Sequence, residues 1–159
     1  MTPAAWKAMG GAALAAAVVA ASPARRRHLT LGATADENSR ALPGDELIAA
    51  PAMVSTRAVT ITAALSSVWP WLVEMAGPAA PGMRVERCDP GQTLVLRSAA
   101  GDRVWSLHLS TYWLNARLIS RTRVAPGGLR RLAQEPVRLA TERRTLLGIK
   151  ERAERNALM

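Results

Sequence analysis

Residues 53–75 read MVSTRAVTITAALSSVWPWLVEM, and a change of period inside this stretch decides the fold class. Residues 57–62 alternate, with Val59 and Ile61 on one face and Ala58, Thr60 and Thr62 on the other. This is the mark of a strand with one apolar side. Ala63-Ala64-Leu65 ends the alternation. Ser66 is placed to cap a helix, because its hydroxyl can accept from a free first-turn N–H. Pro70 then falls at the end of the first turn, where a missing N–H costs little. Trp69, Leu72 and Val73 give that helix a bulky apolar stripe. The unit is a strand leading into a Trp-rich helix.

C-terminal to it, residues 77–82 (GPAAPG) form a breaker-rich loop. Strands are expected at 83–88, 92–98, 103–111 and 116–124, joined by short turns, so the pattern is an antiparallel meander. Trp105, Leu107 and Leu109 share one face of the third of these, and Val104, Ser106 and His108 share the other. Between the last two strands lies Tyr112-Trp113-Leu114-Asn115, where Asn115 is the residue best suited to a positive φ. Pro126-Gly127-Gly128 breaks the sheet. From Pro136 to Ala157 the apolar positions Leu139, Leu146, Ile149 and Ala153 recur at helical spacing, with Arg and Glu filling the other face. Gly148, costly inside a helix by about 1 kcal/mol, is expected where the helix runs close to the sheet. The fold class is α+β: an antiparallel sheet of about five strands held on one side by a long C-terminal helix.

N-terminal to the opening stretch, Leu42-Pro43-Gly44-Asp45 is turn chemistry, and Thr34-Ala35-Asp36-Glu37 has the form of a capping box. Residues 29–52 read as a linker and 53–159 as the domain. Residues 8–22 are an uncharged, Ala-rich apolar helix candidate with Lys7 before it and Arg25-Arg26-Arg27-His28 after it. The run is short for a bilayer span. An anchor or surface-bound segment places the domain at the cytoplasmic face of a membrane by the positive-inside rule. An exported chain with a signal peptide, and a loosely ordered leader, are the other readings left open.

Composition narrows the chemistry. The formal charge is +9, carried mostly by Arg, yet no aromatic residues interleave with it as single-strand nucleic-acid readers require, so no nucleic-acid partner is expected. Five Trp supply most of the aromatic bulk, with one Tyr and no Phe. Cys88 is alone, which excludes an internal disulfide and a cysteine-based zinc site, and it reads as a buried or half-buried structural thiol. The carboxylates Glu74, Glu86 and Asp102 have neither metal-ligand nor acid–base spacing. No metal, cofactor or catalytic residue is therefore expected.

Taken together, residues 42–47 (LPGDEL), 56–61 (TRAVTI), 68–75 (VWPWLVEM), 117–121 (RLISR) and 142–150 (ERRTLLGIK) resemble the bacterial START-like, or SRPBCC, proteins, often described as polyketide cyclase/dehydrase-like. The resemblance runs in order from about residue 30 to the end of the chain. It implies a helix-grip fold, a curved sheet around the C-terminal helix with a hydrophobic cavity between them, and so a lipid or other apolar small molecule as ligand. It does not imply catalysis. The family has a further helix and two strands before the meander. Here these are missing, so the resemblance implies a reduced pocket or an edge completed by a second copy of the chain.

Residues expected to face the ligand are Trp105, Leu107, Leu109, Leu139, Leu146 and Ile149; ordinary core packing is the alternative for all six. His108 alternates to the opposite face and reads as exposed or partly paired. The leading function is non-enzymatic binding of a hydrophobic molecule, at a membrane. A cyclase or aromatase-type enzyme would need Ser106, His108, Ser110 and Tyr112 to converge in the cavity. An interaction module using an open sheet edge is the third reading.

Overall fold

The computed structural model describes residues 29–126 and 135–157. In chain order these contain α1 (Ala35–Ser39), a 3₁₀ turn (Asp45–Ile48), β1 (Met53–Ile61), α2 (Leu65–Ala79), β2 (Met83–Asp89), β3 (Thr93–Ser98), β4 (Arg103–Tyr112), β5 (Asn115–Val124) and α3 (Glu135–Ala157). The strands form one sheet in the order β1-β5-β4-β3-β2, every neighbouring pair antiparallel. The meander is thus as expected, and β1 returns to close on β5. Residues 80–82 alone separate α2 from β2, so no second helix or extra strand intervenes there.

The inner face of the sheet carries Ile61, Leu94, Leu96, Trp105, Leu107, Leu109 and Leu118. Against it lie Val68, Leu72 and Ala76 of α2 and Leu146, Ile149 and Ala153 of α3. Burial of this one apolar cluster is the main force holding helices to sheet. The helix stripe differs from expectation at one place: Val68 is fully buried and Val73 is exposed. The cause is phase. The helix begins at Leu65 with Ala64 as its N-cap and no side-chain cap, so Ser66 lies inside the helix rather than before it. Pro70 consequently falls in the second turn, leaving the Ser66 carbonyl without its usual i+4 donor. The helix also continues through Gly77 and Pro78, residues read as loop.

Gly148 corrects another expectation. A Cβ there would come within 2.8 Å of Met75 Cε, so the glycine accommodates the crossing of α3 over α2, not over the sheet. Cys88 is exposed, because both faces of β2 beyond Met83 are largely uncovered.

The outer face is covered too, by residues 29–52, which read as a linker. Leu42 packs on Ala58 and Ile119, and Ile48 packs on Val95 and Val104. Gly44, at φ 97°, brings this segment so near the sheet that an added Cβ would sit 3.0 Å from the Val95 side chain. The capping box forms as expected: Thr34 Oγ1 accepts from Glu37 N, and Glu37 Oε2 accepts from Thr34 N. Glu37 also takes a two-pronged bond from Arg117, at 2.7 and 2.8 Å. That guanidinium is the main reason its carboxyl stays below the ordinary range, despite burial.

Candidate functional site

The inner face divides along its length. At the Ile61 end the gap between sheet and helices is filled by side chains, with Leu72, Leu107, Leu118 and Ile149 wholly covered. At the other end the alternation that placed Trp105 inward also places Arg103, Ser120, Thr122 and Arg57 there, and the gap opens. A cleft of about 330 Å³ lies there, open to solvent on one side. Its apolar walls are Trp105, Pro78 and Pro81; Arg103 closes the sheet side, and Thr141, Glu142 and Thr145 of α3 face it across the gap.

The polar groups around the cleft are tied to one another. Trp105 Nε1 donates to Ser120 Oγ at 2.8 Å, which fixes the indole plane along the wall. Thr122 Oγ1 donates to Glu142 Oε1 at 2.7 Å, bridging sheet and helix. Thr145 Oγ1 returns to the Thr141 carbonyl at 3.0 Å, and Arg103 Nη2 lies 2.9 Å from Met83 Sδ. Arg57 is buried on the same face, opposite Ser120 in the register. Burial holds its guanidinium below its ordinary pKa; the charge of Glu142 opposes that and the charge of Arg143 adds to it.

Of the residues expected to face a ligand, Trp105 lines the cleft. Leu107, Leu109, Leu146 and Ile149 are brought together in the core beside it, and the side chain of Leu139 lies outside the described residues. Sequence reading missed Arg103, which shares the i, i+2 parity of Trp105. It also missed Thr141, Glu142 and Thr145, which share the helical stripe of Leu146 and Ile149. Periodicity located the face, but apolar residues alone were followed along it.

The polar candidates for a cyclase do not reach the cleft. Ser106 Oγ donates to the Arg121 carbonyl on the outer face, while Ser110 and Tyr112 are exposed. His108 is a correction: it is buried rather than exposed, because residues 29–52 cover the face it points to, and its Nδ1 is 3.2 Å from Thr93 Oγ1. Burial, helped by the charge of Arg121 and opposed by that of Asp45, pushes its pKa down to about 4. The unfolded chain therefore binds more protons than the folded one between about pH 6.5 and 4. The stabilisation is complete above that window and is lost as pH falls through it. Urea unfolding at pH 7 and pH 4.5 is expected to show this loss, and His108→Gln is expected to flatten it across the window.

Among the described residues no cluster of three or more His, Cys, Asp or Glu could hold a metal ion, and no helix is long and apolar enough to cross a membrane. The apolar run at 8–22 lies outside the described residues.

No protein-family model matches the sequence, and no curated protein does so. Solved structures do resemble it. The Polyketide_cyc-like protein Cgl2372 from Corynebacterium glutamicum shares 14% identity over 61% of this chain and 88% of its own, with a TM-score of 0.45. CalU16 from Micromonospora echinospora shares 11% over 66% and 85%, with a TM-score of 0.41. TTHA0849 from Thermus thermophilus shares 16% over 64% and 97%, with a TM-score of 0.39. Likeness at this level concerns the backbone, and no residue role is carried across from it. The chain's own topology is a five-stranded antiparallel sheet packed on a C-terminal helix, an α+β fold.

Proposed function

We propose that this protein binds a small hydrophobic molecule bearing a polar group, without catalysing a reaction on it. The observation that carries the reading is the cleft between Trp105 and Thr145, at the one end of the sheet–helix gap that the protein's own side chains leave open. Its volume is at the lower end of ligand pockets, which run from about 300 to 1,000 Å³. The Trp105 ring and the two prolines suit an apolar body, while Arg103, Thr141 and Glu142 suit a polar end. The Glu142 carboxylate at this space is already engaged by the Thr122 hydroxyl and Thr145 Oγ1 by the Thr141 carbonyl, which favours binding over catalysis.

The test is titration with 8-anilinonaphthalene-1-sulfonate, alongside native mass spectrometry of the purified chain for a retained lipid-like mass. The parent is expected to bind the dye saturably at one site. Thr145→Trp, which fills the cleft, is expected to weaken that binding at least about tenfold, the effect of 1.4 kcal/mol, with an unchanged circular dichroism spectrum. Equal binding by parent and variant, or no binding and no retained mass, rejects the reading.

A further inference from the structure

The hairpin joining β4 to β5 has an unusual tip. Tyr112 pairs with Asn115, so Trp113 and Leu114 form a two-residue loop. Two-residue loops demand a positive φ at the first position, and glycine usually supplies it. Here Trp113 takes it, at φ 57°, the only non-glycine residue with positive φ among those described. A bulky side chain in that region is an outlier that surrounding structure normally has to enforce. No packing enforces it here: Trp113 is 84% exposed and Leu114 96%, with Tyr112 beside them at 53%. Among the described residues, the two most exposed large apolar side chains thus stand together, at a hairpin tip, in a strained turn.

The surroundings of the tip indicate what it meets. Ala116 pairs with both Thr111 and Ile61, so the tip, the end of β1 and the start of α2 lie at one end of the sheet. The N-terminus of α2 there has no side-chain cap and no acidic residue in its first turn, and the Glu154 carboxylate stands near it on Thr62 N. The end of α3 reaches the same region, since Glu154 Oε1 accepts from Thr62 N, and its last turn carries Arg155. Apolar prongs on a chain of formal charge +9 complement an apolar slab rimmed by anionic head groups. A protein partner fits less well. Stable protein interfaces bury about 800 Å² per side, far more than a two-residue point offers. Trp and Tyr are also the side chains that favour the membrane–water boundary.

We infer that the β4–β5 hairpin tip, Trp113-Leu114, inserts into the interfacial layer of an anionic lipid bilayer. This inference is independent of the cleft, which lies at the opposite end of the sheet.

It is tested with the full chain and vesicles of phosphatidylcholine, with and without phosphatidylglycerol. The chain is expected to partition onto the anionic vesicles, and lipids brominated on the acyl chain are expected to quench its tryptophan fluorescence. Trp113→Phe should keep the partitioning and lose most of the quenching. The double variant Trp113→Ser/Leu114→Ser should bind at least about tenfold more weakly, with an unchanged circular dichroism spectrum. Absence of binding to anionic vesicles overturns the inference. So does quenching that survives in Trp113→Phe, which would place another segment in the bilayer. A double variant that binds as tightly as the parent, or that instead disperses an oligomer seen by light scattering, also overturns it.

Discussion

Arg121→Ala is expected to cost about 3–5 kcal/mol of folding stability, the range for removing one partner of a buried ion pair. The Arg121 guanidinium is almost wholly buried under residues 29–52. It bonds Asp45 Oδ2 at 2.6 Å, the Arg40 carbonyl at 2.9 Å and Thr56 Oγ1 at 3.1 Å, and it also donates to the carbonyls of Glu37 and Asn38. Truncation leaves these acceptors without their Arg121 donor in a largely buried region, while Asp45 keeps its bond from Leu42 N at 3.0 Å and its pair with Arg123 at 3.2 Å. Since small domains are stable by about 5–15 kcal/mol in total, the loss is a large fraction of the whole. Urea unfolding followed by tryptophan fluorescence should show a fall in midpoint. Arg121→Lys should recover part of it, because an ammonium cannot span the same fork of acceptors. A midpoint shift corresponding to less than about 1 kcal/mol would mean that the outer layer is held by Leu42 and Ile48 instead.

Leu107→Ala should cost about 2–5 kcal/mol, the usual range for emptying a fully packed leucine site. Leu107 lies at the centre of the inner cluster with Leu72, Leu118 and Ile149, and none of its surface is exposed. Its position on the same strand face as Trp105 makes the result informative beyond stability. A large cost in urea unfolding means that this end of the gap is solid protein and that a guest is confined to the Trp105–Thr145 cleft. A cost below about 1 kcal/mol would show that the strand tolerates a void there, so that the gap can accept a guest along its whole length.

Much of the inner layer could be read before the structure, and the outer layer could not, for a physical reason. Period-2 alternation assigns residues to faces but does not say whether a face is wet. His108 is placed on the correct side of its strand, yet the cover that buries it, together with Ile119 and Arg121, comes from residues 29–52, about 70 residues upstream in the chain. An arginine next to an isoleucine in a strand looks like a solvated face until its acceptors are found at Arg40, Glu37 and Asp45. The cap expectation failed at Ser66 because the helix starts earlier, at Leu65, with no side-chain cap to mark it, and its buried stripe is Val68, Leu72 and Ala76, which leaves Val73 outward. The hairpin tip failed differently. Local preference favoured Asn115 for the positive φ, but the register of β4 against β5 makes Tyr112 and Asn115 a ladder pair and leaves Trp113 to take it.

The β1–β5 closure described above has a consequence for biosynthesis. Strands β2 to β5 can zip together from neighbouring hairpins, but β1 must wait for a strand completed more than 60 residues later. The greasy side of that ribbon then has only α2 to cover it until α3, made after every strand, has left the ribosome. During that interval the part of this face that α3 covers is open to any chaperone or neighbouring nascent chain that meets it. Slowed translation between β5 and α3 would prolong that exposure.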